Sequence, residues 1–90
     1  MKTYSIEFKT SATKELKKLP RSIQAKILDS MRLLAANPYS QLLPIRKMEA
    51  SGSRDLYRMR VADYRVIYEI QKDLVIIFVI RIGHRKDVYR

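Results

Sequence analysis

Two stretches hold the groups able to do chemistry. "LYRMRVADYRVIYEI", residues 56–70, carries Arg58, Arg60 and Arg65, with Arg54 just ahead of it. "RIGHRKDVYR", residues 81–90, carries His84, Arg85, Lys86, Tyr89 and Arg90. A guanidinium offers a planar fork of donors that meets two oxygens of a phosphate at once. An imidazole exchanges its proton near neutral pH, with an ordinary pKa of ~6.5. A phenol surrounded by cations is acidified. Together these groups suit the binding of a phosphate and the movement of a proton beside it. With no cysteine and a single histidine, thiolate chemistry is excluded and a zinc site is not expected.

The elements that must position these groups follow from hydrophobic spacing. "TYSIEF" alternates Tyr4, Ile6 and Phe8 against polar neighbours, the period of a strand with one buried face. From Ser11 the apolar residues Ala12, Leu16 and Leu19 recur at helical spacing, with Thr10 or Ser11 as N-cap and Pro20 as the stop. Pro20 then opens a second helix, whose stripe is Ile23, Ile27, Met31 and Leu34, widened by Leu28 and Ala35. Asn37 and Pro38 end it. "YSQLLPIRKMEASGS" reads as a loop with at most a short extended piece. Residues 56–61 and 64–71 alternate around a short turn at Ala62 and Asp63, as in a hairpin. "LVIIFVIRI" is apolar on both faces and suits a central strand covered on both sides. The expected fold is α+β, one domain over residues 1–90, with two N-terminal helices packed on a small antiparallel sheet in the order β-α-α-β-β-β.

Alternation puts Tyr57, Met59, Val61, Tyr64, Val66, Tyr68 and Ile70 against the helices and leaves Arg58, Arg60 and Arg65 on the open face. A lone arginine there would be an ordinary solvated residue, with Glu69 and Asp63 as counter-ions. Three on one face of paired strands stand within roughly 4.5–8 Å of one another, and repel unless an anion joins them. Gly83 permits a sharp bend just before the second basic stretch.

The charge balance agrees. Nineteen basic and nine acidic residues give a net charge of +10, a field that draws polyanions. Residues 1–45 carry six lysines and two arginines, whereas residues 46–90 carry eight arginines and three lysines, so phosphate recognition belongs to the second half. "LVIIFVI" is too short to span a bilayer and "MKTYSIEFK" lacks the apolar core of a signal peptide, so a cytoplasmic protein is expected, with no membrane association.

At the two basic stretches, and in element order over essentially the whole chain, the sequence resembles the RelE/ParE superfamily of type II toxin–antitoxin toxins, and specifically its RelE-like branch. That resemblance implies an endoribonuclease that enters the ribosomal A site and cuts mRNA without a metal or other cofactor, the ribose 2′-hydroxyl attacking the adjacent phosphate, thereby inhibiting translation. Arg65 and Arg85 match family positions that bind and stabilise the phosphate, with Arg85 also assisting the leaving group. Tyr89 matches the tyrosine that stacks on a base or orients the nucleophile. Arg54, Lys86 and Arg90 extend the RNA-binding surface. Arg58 and Arg60 stand where well-known members carry lysine, and since a guanidinium does not give up its proton, they stabilise charge and the base falls to His84 or Tyr89.

The implied partners are the ribosome with its mRNA and an acidic RelB-like antitoxin, with operator DNA bound only by the toxin–antitoxin complex. A ParE-like inhibitor of DNA gyrase without nuclease activity is the alternative function. A non-toxic antitoxin-binding co-repressor is a third.

Overall fold

The computed structural model describes residues 3–48, 55–84 and 86. Strand β1 (Ser5–Phe8) leads into helices α1 (Thr10–Lys17) and α2 (Arg21–Ala36), followed by β2 (Ile45–Lys47), β3 (Leu56–Val61), β4 (Tyr64–Gln71), a short 3-10 turn (Lys72–Leu74) and β5 (Ile76–His84). The strands form one sheet in the order β1-β5-β4-β3-β2. The α+β class and the two helices on a sheet are as expected, and two details of the sheet differ. Ile45–Lys47 is a fifth strand, antiparallel to β3, where the sequence reads as loop. β1 runs parallel to β5, so the sheet is mixed: the two helices carry the chain across one face to the far edge at β2, and the antiparallel run from β2 to β5 returns it to lie beside β1.

The helices start without side-chain caps. Lys9 and Pro20 occupy the two N-cap positions, rather than Thr10 or Ser11, and Pro20 stands just outside α2 instead of within it. Gln24 closes the α1–α2 corner by donating from Nε2 to the Leu19 carbonyl at 2.8 Å. The helical faces then meet the sheet as their spacing predicts. Ala12 from α1 and Ile27, Met31 and Leu34 from α2 are buried against Met59, Val66, Tyr68, Ile77, Val79 and Ile82. Leu28 is off this face and exposed. No helix among the described residues is long and apolar enough to cross a membrane.

β5 has strand neighbours on both sides, β1 and β4. The helices cover one of its faces, whereas Ile76, Phe78 and Ile80 are only half-buried, so the expected cover on both sides is incomplete. Between the pairs Tyr68↔Val79 and Ile67↔Arg81 the register shifts and Ile80 is an extra residue on β5. Such a bulge reverses the parity of every residue after it.

Candidate phosphate-binding groove

β3 and β4 are joined by the two-residue turn Ala62–Asp63, with Ala62 at φ 55. The hairpin register sets Arg60 directly opposite Arg65, while Arg58 faces Ile67 on one side and Arg46 of β2 on the other. The neighbours of Arg58, Arg60 and Arg65 along their strands, Met59, Val61 and Val66, are buried under the helices, which turns these three to the open face, and Arg46 joins them as the direct partner of Arg58. Directly opposed residues have Cβ atoms about 4.5–5.5 Å apart. Two like-charge pairs, Arg46–Arg58 and Arg60–Arg65, therefore lie side by side.

These four arginines, with Leu43, Pro44 and Ile45, line an open hollow of about 440 Å³. Arg65 is half-buried and steadied by a hydrogen bond from Nη1 to the Tyr64 carbonyl at 3.2 Å. Arg46 and Arg60 are exposed. Across β4 from this group, Gly83 stands opposite Arg65 and adds no side chain to the face. The hollow is thus an array of positive forks open to solvent, suited to a phosphodiester and to the extra negative charge of a five-coordinate phosphorus. Glu69, expected as a counter-ion, stands on the same open face, two residues beyond Ile67, the partner of Arg58, and accepts a hydrogen bond from Gln71 Nε2 at 2.7 Å.

The structure thus brings Arg58, Arg60 and Arg65 together, as alternation predicts, and adds Arg46, which the sequence reading misses. Its partner across the strands is visible only once the register of β2 is known. Arg54, Arg85, Tyr89 and Arg90 lie outside the described residues. Lys86 is exposed.

His84 is not beside the guanidinium groups. It pairs with Tyr64, and the two rings meet edge-on with centroids 5.6 Å apart. Tyr64 belongs to the alternating set of Val66 and Tyr68, on the helix side of the sheet. The Ile80 bulge is the cause: uninterrupted alternation from Ile77 and Val79 would have put His84 on the arginine face. Its Nδ1 instead accepts the Lys86 backbone N–H at 3.3 Å, tying down the chain as it leaves β5. Of the two groups expected as base, His84 thus stands on the Tyr64 side of the sheet, and Tyr89 lies outside the described residues.

A second polar feature lies on the helix side near β2. The ring of Tyr57 stacks on Tyr68 at 5.8 Å and meets Tyr39 edge-on at 6.4 Å, while Lys72 Nζ sits 5.4 Å from the Tyr39 ring centroid. Burial pushes the Tyr68 phenol well above its usual range, and among the described residues its buried hydroxyl has no hydrogen-bond partner. Burial also raises Tyr39, whose proximity raises Lys72. Among the described residues no group of three or more histidine, aspartate or glutamate side chains is placed to hold a metal ion.

A family model described as the ParE toxin of type II toxin–antitoxin systems, parDE, matches residues 6–89. Toxin RelG of Mycobacterium tuberculosis is 31% identical over 88 residues, covering 97% of each protein. The archaeal RelE–RelB complex from Pyrococcus horikoshii OT3 superposes with a TM-score of 0.80 at 30% identity, over 92% of this chain and 96% of that one. The RelB–RelE complex of Methanococcus jannaschii gives 0.73 at 28%, over 92% and 94%. Fold and match together define a toxin of the type II toxin–antitoxin class. This chain belongs to the RelE/ParE toxin family.

Proposed function

We propose that the protein is a ribosome-dependent mRNA endoribonuclease acting in the cytoplasm, and that the arginine groove binds the scissile phosphate. The observation that carries this reading is the pair of facing arginine pairs, Arg46–Arg58 and Arg60–Arg65, around one open hollow. Attack of a ribose 2′-hydroxyl on the adjacent phosphorus forms one P–O bond and breaks the bond to the 5′-oxygen of the next nucleotide, leaving a 2′,3′-cyclic phosphate and a 5′-hydroxyl. Negative charge grows on the non-bridging oxygens as the bond forms, and donors fixed before the reaction favour that state over the ground state. Arg58, Arg60 and Arg65 supply such donors, and Arg46 adds a fourth. By family resemblance Arg85 assists the departing oxygen and Tyr89 serves the nucleophile as base or orienting group. His84 anchors the chain leading to them.

An acidic RelB-like antitoxin is the proposed partner, since solved relatives include RelE–RelB complexes and a basic face favours rapid capture by an acidic protein. Inhibition of DNA gyrase is the second reading, favoured by the match to a ParE model. The deciding experiment adds the purified protein to cell-free translation and maps mRNA ends by primer extension, with and without ribosomes, alongside a gyrase supercoiling assay. Cuts at codon boundaries that require ribosomes support the nuclease. Intact mRNA with lost supercoiling activity would move the assignment to gyrase.

A further inference from the structure

We infer that Glu15 of α1 is a positioning residue for the groove: it clamps the outer edge of β5 and so fixes Gly83 opposite Arg65. The inference rests on the reading of the groove as a phosphate site.

β1 pairs with β5 only from Ile76 to Val79. The last bond along that edge runs from the Lys9 N–H to the Val79 carbonyl at 2.8 Å, and at Thr10 the chain turns away into α1. From Ile80 to His84, β5 therefore has a strand partner on the β4 side alone. This stretch also contains the bulge, where pairing is locally disrupted. Glu15 fills the vacated edge. Its Oε1 accepts the Ile82 backbone N–H at 2.9 Å, and its Oε2 lies 3.9 Å from Nε of Arg81. One carboxylate on α1 thus holds two successive residues of β5, 66 and 67 positions away in the sequence. The next residue is Gly83, which faces Arg65, and the next is His84, whose Nδ1 holds the Lys86 amide. The end of β5 is gripped by β4 on one side and by Glu15 on the other, and Gly83, the residue opposite Arg65, lies within that grip.

The geometry separates an oxygen acceptor from a charge. Gln at position 15 retains an acceptor oxygen of the same reach, whereas Ala leaves the Ile82 amide with none. The test compares Glu15→Gln, Glu15→Ala and the unaltered full chain by residue-resolved amide exchange and by single-turnover cleavage on programmed ribosomes. In Glu15→Ala, exchange at Ile82 and Gly83 rises by about tenfold or more while that at Val66 and Ile70 is unchanged, as local opening requires. Cleavage falls by about 10²-fold in kcat with little change in KM, the size expected when reacting groups are misplaced by about an ångström. Glu15→Gln stays close to the unaltered chain in both. Unchanged exchange at Ile82 in Glu15→Ala, a uniform rise across the sheet, or local opening with full cleavage would each overturn the inference. If the unaltered chain does not cleave, the nuclease reading fails, and the exchange pattern alone decides whether Glu15 clamps β5.

Discussion

Arg60 and Arg65 face each other directly across the β3–β4 hairpin, on the face of the sheet that the helices leave open. Like charges in that relation cost the fold from a few tenths to about 1 kcal/mol. The sheet places Arg46 opposite Arg58 in the same way one strand further out. An arrangement that concentrates four cationic forks around one hollow suits a polyanion.

Arg60→Ala, which relieves the exposed member of the pair, is expected to stabilise the protein by about 0.5 kcal/mol while weakening cleavage. Arg65→Ala is expected to lower the cleavage rate by about 10²–10³-fold, the loss typical of one preorganised electrostatic donor, with the circular dichroism spectrum unchanged. Denaturant titration and primer extension on the same preparations check both.

Arg46→Ala should change the salt dependence of RNA binding. Each phosphate contact to a single strand contributes about 0.7 to the slope of log affinity against log salt, so losing Arg46 lowers that slope by about 0.7. Fluorescence anisotropy with a short RNA, at several salt concentrations, measures it. An unchanged slope would remove Arg46 from the site.

Tyr68→Phe removes a buried hydroxyl that has no partner among the described residues and keeps the ring stacked on Tyr57. A gain of about 1 kcal/mol in unfolding free energy is expected. Burial raises the phenol pKa in the folded state, so the folded chain holds this proton more tightly than the unfolded one. The stability it contributes is fully present below the unfolded value of ~10 and is lost as pH rises above it, by up to ~1.4 kcal/mol per pH unit. Tyr68→Phe should therefore flatten the alkaline limb of the stability profile.

His84→Asn keeps an acceptor for the Lys86 amide and removes the imidazole. With His84 on the side away from Arg65, cleavage should fall by less than about tenfold, against the 10²–10⁴-fold contributed by a true general base. A larger loss, with a displaced acid limb in the pH–rate profile, would restore His84 to the chemistry.

The helices and the β3–β4 hairpin were legible because their signals are local. Ile23, Ile27, Met31 and Leu34 repeat at helical spacing within a sixteen-residue helix, and Met59, Val61, Val66 and Tyr68 alternate around a two-residue turn. From that alternation the sidedness of Arg58, Arg60 and Arg65 followed. Three features depend on contacts that sequence spacing does not encode. Ile45–Lys47 is too short to display a period, and it is a strand because β3 offers it an edge. The parallel pairing of β1 with β5 joins residues about seventy positions apart. The extra residue at Ile80 leaves no compositional mark, yet it decides which side His84 takes.

The last strand of the sheet, β2, is three residues long, follows Pro44, and carries Arg46 and Lys47. An unpaired edge invites the edge of a second molecule, and brevity, proline and positive charge are the usual deterrents. Arg46 therefore serves two masters: the side chain proposed to meet RNA on one face is also a charge of the kind that deters a second copy of the chain from extending the sheet. A variant that makes this position apolar to disarm the toxin would at the same time open its border to self-assembly.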